Sequence, residues 1–193
     1  MSFMYNSILL LVSIFILSTS FAQDTLSRDA SFADYDVFKK LVLEVEAHRA
    51  ERMISLEKMA ELSKAKNTII LDTRSKAMYD AKHIKGAVHL TFADFTQATL
   101  SRIIPDKDMN VIIYCNNNFL NDQISFPTKS YTPSSKEFDF DFVADPIGIT
   151  MALNIPTYIN LYGYGYRNIY ELKDLISVYD EAVEFEGTNV GSN

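Results

Sequence analysis

Two uninterrupted apolar runs, Thr68-Ile69-Ile70-Leu71 and Asn110-Val111-Ile112-Ile113-Tyr114, constrain the fold of this chain more than any other feature. A strand with one face in water alternates polar and apolar residues. A continuous run of β-branched and large apolar residues is covered on both faces, as in a parallel sheet held between helices. Each run ends in residues with chemistry: Asp72-Thr73-Arg74 follows the first and Cys115 the second. Folds of this class place ligands in the crevice beyond the carboxyl ends of their strands, so both runs point functional groups at the same edge.

Helical and extended patterns alternate around these runs. From Asp34, the positions Val37, Leu41, Val45 and His48 recur at helical spacing and predict an amphipathic covering helix. Met53-Ile54 is a short extended piece, and Ser55 caps a small helix carrying Leu56, Met59, Ala60 and Leu62. A short helix through Ala77, Met78 and Tyr79 precedes a strand at Val88-His89-Leu90. One helix is expected from Phe92 to Ile104, closed by Pro105. Residues 116–144 read as an irregular insert with Pro127, Pro133 and the alternating Phe138-Asp139-Phe140-Asp141-Phe142. Asp145 with Pro146 then signals a helix running to Gly163, kinked at Pro156. Asn168 to Leu172 is a last strand, Leu172 to Val178 a terminal helix, and the polar tail from Glu186 frays. The alternation gives an α/β fold with a mainly parallel central sheet flanked by helices.

The first residues carry a separate signal. Ile8 to Leu17 is too short to span a bilayer but suits the core of a signal peptide, and Ser18-Thr19-Ser20-Phe21-Ala22 offers small residues for cleavage before Gln23. The expected organisation is a signal peptide at 1–22, then a leader and amphipathic helix at 23–52. A domain at 53–180 with its insert at 116–144 follows, and a polar tail at 181–193 ends the chain. Export to the periplasm or beyond is expected, with no stable membrane span after cleavage. A single cysteine rules out an internal disulfide, so an ordinary apolar core must hold the domain. The net charge of -7, with dispersed Lys and Arg, argues against a nucleic-acid surface.

The order of motifs resembles a rhodanese-like (sulfurtransferase) domain. The resemblance is carried by Ile69-Ile70-Leu71-Asp72-Thr73-Arg74, by the box Tyr79-Asp80-Ala81-Lys82-His83-Ile84-Lys85-Gly86-Ala87-Val88-His89-Leu90, by Val111-Ile112-Ile113-Tyr114-Cys115, and by Leu161-Tyr162-Gly163-Tyr164 with Asn168-Ile169-Tyr170-Glu171-Leu172. It implies a persulfide mechanism in which the Cys115 thiolate takes sulfane sulfur from a small donor such as thiosulfate. A thiol or other nucleophilic acceptor then receives it. The chain departs from the family after the cysteine, where Asn116-Asn117-Asn118-Phe119-Leu120 supplies no basic residue, and after the last strand, where Lys173-Asp174-Leu175 replaces a Gly-Gly-aromatic segment.

Candidate roles follow from residue chemistry. Cys115 is the catalytic candidate, because a thiolate is the competent nucleophile. Arg74, Asn116, Asn117 and Asn118 are candidates for substrate binding, with an Asp72–Arg74 strut and an asparagine-rich turn as the competing structural readings. Asp72, His83 and Gly86 are structural residues near the site, Gly86 supplying close packing or a positive φ. Lys129 and Lys136 are candidate cations from the insert, which also offers a surface for a protein partner. His48 and His89 lack the spacing of a zinc site with Cys115, and no cofactor is expected. A calcium loop at 138–142 lacks the glycine and closing glutamate such loops need. A cysteine phosphatase lacks its arginine, since none follows Cys115 before Arg167.

Overall fold

The two apolar runs lie side by side at the heart of one parallel sheet. The structure, a computed structural model, describes residues 33–131 and 149–191. In chain order the elements begin with α1 (Tyr35–Ala50), β1 (Met53–Ile54), α2 (Leu56–Leu62), β2 (Thr68–Asp72), α3 (Lys76–Ala81), β3 (His83–Ile84) and β4 (Val88–His89). A 3-10 turn (Phe92–Asp94), α4 (Gln97–Ile103) and β5 (Asn110–Tyr114) follow, then a second 3-10 turn (Asn116–Asn118) and the short strands β6 (Phe119–Leu120), β7 (Ser130–Tyr131) and β8 (Ile149–Thr150). The chain continues through α5 (Asn154–Gly163), β9 (Ile169–Leu172), β10 (Ile176–Ser177) and β11 (Phe185–Glu186).

The main sheet has five strands in the order β1-β9-β5-β2-β4, every pair parallel. Side chains of a strand alternate between faces, so β5 splits its apolar run between two cores. Ile112 and Tyr114 join Ile70, Phe119, Phe126 and Leu172 on one face. Val111 and Ile113 join Val45, Leu71, Leu100, Tyr158, Leu161 and Ile169 on the other. The second face is covered by α1, α4 and α5, with α1 packed on α5 and β9. Both strands are buried on both sides, which is why neither shows a polar alternation.

Several boundaries differ from the sequence expectation. The helix expected from Phe92 to Ile104 is divided, because Thr96 starts a fresh helix by accepting from the Thr99 backbone while Thr99 Oγ1 takes the Thr96 N–H. The helix expected from Asp145 begins only at Asn154, and Ile149–Thr150 pairs antiparallel with Ser130–Tyr131 instead. Asp145 and Pro146 lie outside the described residues. Pro156 therefore sits in the first turn of α5, where the missing N–H has no helical partner to lose, and no kink is required. The expected terminal helix is instead strand β10, which pairs with β6 through Ile176↔Phe119 and Ser177↔Leu120.

The tail does not fray over its described part. Phe185 and Glu186 pair with Ile84 and His83, and the backbone N–H groups of Thr188 and Asn189 donate to Asp80 and Ala81 carbonyls. The segments read as signal peptide and leader up to residue 32, the 138–142 alternation, Pro133 and Lys136 fall outside the described residues. Among the described residues, no helix is long and apolar enough to cross a membrane.

Candidate functional site

Cys115 leaves the carboxyl end of β5 in an extended conformation, with φ -145° and ψ -173°. Alternation along the strand puts its side chain on the face of Val111 and Ile113, beneath α5. The thiol is buried, the residue being 2% exposed. Burial pushes its pKa above the ordinary thiol value, while backbone hydrogen bonds from Asn117, Asn154 and Leu153 and the nearby Glu171 carboxylate act in opposite directions, the N–H groups lowering it and the carboxylate raising it.

The three N–H donors come from two separate places in the sequence. Asn117 belongs to the turn directly after the cysteine. Leu153 and Asn154 form the N-terminus of α5, whose first N–H groups have no partners within the helix. The insert separates these segments in sequence, yet the helix end returns to the sulfur. Their partial positive charge favours an anionic sulfur and works against the burial that raises its pKa.

The three asparagines after Cys115 shape this region through their side chains. Asn118 Oδ1 accepts the Cys115 N–H (2.9 Å) and an Asn154 Nδ2–H (3.2 Å). Its Nδ2 donates to the carbonyls of Leu172 (2.8 Å) and Asp174 (3.1 Å). One amide thus ties the cysteine loop to α5 and to the end of β9. Asn117 accepts from the Lys129 N–H and donates to the Lys129 carbonyl, both at 2.9 Å, pinning the start of the insert as a neighbouring strand would. Asn116 Oδ1 accepts from Arg74 Nη1 at 3.3 Å. The turn is built from its own asparagines, and it offers the sulfur a backbone N–H.

Asp72 and Arg74 stand on the other face of the sheet, with Tyr114 and Phe126. Asp72, fully buried, accepts from the Arg74 backbone, from Nε and Nη2 of its guanidinium and from the Tyr114 hydroxyl. The remaining guanidinium N–H groups reach the Ser125 and Lys82 carbonyls and Asn116, and the ring of Phe126 lies 4.5 Å from the guanidinium carbon. Arg74 is a strut that gathers β2, the 82–83 corner and the start of the insert. Its contact with the thiol is indirect, through Asn116.

His83 stacks on Tyr79 with ring centroids 3.7 Å apart and its Nδ1 lies 2.6 Å from the Tyr79 carbonyl. Gly86 has φ +78°, a conformation L side chains rarely adopt, and its N–H donates to Glu186. Both residues shape the corner between β3 and β4. Lys129 is exposed and enters the site through its backbone alone. Among the described residues, no group of three or more His, Cys, Asp and Glu is placed to hold a metal ion.

Sequence reasoning misses two parts of the site. Leu153 and Asn154 contribute backbone groups, and backbone groups leave no signature in residue identity. Glu171, 4% exposed, did carry a signal: a carboxylate inside the strand Ile169-Tyr170-Glu171-Leu172 must find a cation if it is buried. Its partner is Arg49 of α1, whose Nε and Nη2 each lie 2.6 Å from a carboxylate oxygen.

Residues 55–124 match the family model of the rhodanese-like domain. Several solved structures resemble the chain, among them the following three. The crystal structure of the BH2092 protein from Bacillus halodurans is 17% identical, with 80% of this chain and 86% of that one covered and a TM-score of 0.46. The solution structure of the rhodanese-like domain from the Anabaena Alr3790 protein is 15% identical, covering 74% and 83%, with a TM-score of 0.45. A crystal structure of the Anabaena Alr3790 protein is 14% identical, covering 69% and 91%, with a TM-score of 0.41. No curated protein matches the chain.

Proposed function

We propose that the chain, with a rhodanese-like domain at residues 55–124, is a sulfurtransferase that carries sulfane sulfur on Cys115. The observation behind this reading is the place of Cys115 at the carboxyl end of β5, where the Asn118 side chain ties the cysteine backbone to Asn154 at the start of α5. In the first step the Cys115 thiolate attacks the outer sulfur of a donor such as thiosulfate, forming a Cys–S–S bond as the donor's S–S bond breaks and sulfite leaves. A nucleophilic acceptor then attacks the terminal sulfur, takes it, and restores the thiolate. The sulfur is anionic before and after each displacement, so backbone N–H groups beside it would stabilise both reacting forms. The apolar run Ile8 to Leu17 supports action outside the cytoplasm.

The test is a mass measurement. After incubation with thiosulfate, the peptide bearing Cys115 should gain the mass of one sulfur atom, and cyanide should remove it with formation of thiocyanate. Native protein that never acquires the adduct over a range of thiosulfate concentrations sinks the proposal.

Burial of the thiol favours a second reading, a rhodanese-fold binding module without turnover whose insert recognises a protein or a sulfur-containing ligand. The two readings separate in pH dependence. The raised pKa leaves a smaller thiolate fraction at neutral pH than a free cysteine has, so alkylation by iodoacetamide should be slower there and climb about tenfold per pH unit toward an inflection above the ordinary thiol range. The corresponding stability contribution is intact below the unfolded thiol's pKa and fades as pH rises through the folded one. Alkylation that stays absent in folded protein even on the alkaline side decides for the binding module.

A further inference from the structure

Glu171 and Cys115 share one face of the sheet. Glu171 pairs with Ile113 across β9 and β5, and Cys115 follows Ile113 by two positions, so the three side chains point the same way. A buried carboxylate there opposes any negative charge on the sulfur. The groups nearest it on that face are Arg49 of α1, Arg52 in the turn between α1 and β1, and Tyr158 of α5. Of the two arginines, Arg49 makes the bidentate pair, while the Arg52 carbonyl accepts the Glu171 N–H at 3.0 Å. His48 and Tyr158 complete the clasp, their Nδ1 and hydroxyl 2.8 Å apart. Helix α1 lies outside the segment that matches the family, and its spacing reads only as a cover.

We propose that Arg49 is a positioning residue for the Cys115 centre: by docking α1 on the sheet it neutralises the Glu171 carboxylate on the thiol's own face, and so keeps the sulfur competent to carry negative charge. The first turn of α5 supplies the favourable charge and Arg49 removes the unfavourable one. The proposal rests on Cys115 being reactive, and it does not require sulfur transfer. Alkylation therefore tests it even if the persulfide reading fails.

The experiment measures the pH profile of iodoacetamide alkylation at Cys115 in the full chain, with folding followed by circular dichroism. Arg49→Met should move the inflection to higher pH and slow alkylation at pH 8 by about threefold to tenfold. Glu171→Gln should move it to lower pH and speed the reaction. Arg49→Lys, and the double variant Arg49→Met with Glu171→Gln, should stay within about twofold of the native rate, because each leaves the region without net excess charge. Simple loosening of α1 moves every variant the same way, toward faster alkylation, so faster reaction of Arg49→Met overturns the proposal. An unmoved or alkaline-shifted Glu171→Gln does so equally. If Arg49→Met does not fold, Glu171→Gln and the double variant decide between the same two outcomes.

Discussion

Cys115→Ser is expected to reduce thiosulfate-dependent thiocyanate formation to the uncatalysed background while the protein stays folded. A serine hydroxyl can accept backbone N–H groups as a thiol does, and it differs little in volume. The variant should therefore unfold within about 1–2 kcal/mol of the native protein. What it lacks is a polarisable thiolate and the capacity to hold a sulfane sulfur, and the reaction depends on both. The loss should be complete because Cys115 is the chain's single cysteine. The paired measurement is product formation with thermal unfolding on the same sample. Product from Cys115→Ser above the blank would falsify the persulfide route, and loss of product with loss of fold would assign the cysteine to the core alone.

The sheet was legible because its information lies in contiguous side chains. Thr68 to Leu71 and Asn110 to Tyr114 have no polar alternation, and the structure buries them between two cores, as such runs require. The short strands were not legible. Ile176–Ser177 and Phe185–Glu186 are too brief to show any period, and both exist because a distant segment, Phe119–Leu120 or His83–Ile84, offers a free edge. The start of α5 was misplaced for a related reason. Asp145-Pro146 is a sound local helix signal, whereas Leu153, the true cap, makes no side-chain capping bond. The helix start is fixed by packing against the cysteine loop, where Asn154 donates to Asn118, and tertiary position decides that. At the site, Cys115 could be read from its place at a strand end. The roles of Asn116, Asn117 and Asn118 could not, because three identical residues make three different ties, to Arg74, to the Lys129 backbone and to Leu172, Asp174 and Asn154.

Arg74→Met is expected to cost about 3–5 kcal/mol of folding stability, the range for breaking a buried ion pair and leaving one charge uncompensated. Arg74 is 3% exposed and Asp72 is 0% exposed, so water cannot replace the guanidinium. Without it Asp72 keeps only the residue-74 N–H and the Tyr114 hydroxyl, and the carbonyls of Ser125 and Lys82 lose a donor. Methionine conserves much of the apolar contact with Phe126, which confines the loss to charge and hydrogen bonds. Adding Asp72→Asn should recover part of the deficit, because the buried charge goes with its partner, and urea midpoints at constant m-value measure both changes. A single-variant loss below about 1 kcal/mol would mean that the pair is not a strut. The same lesion should reach the thiol from the opposite face of the sheet. Asn116, the residue directly after the cysteine, is held by Arg74, so Arg74→Met should also loosen the 116–118 turn while leaving the start of α5 in place.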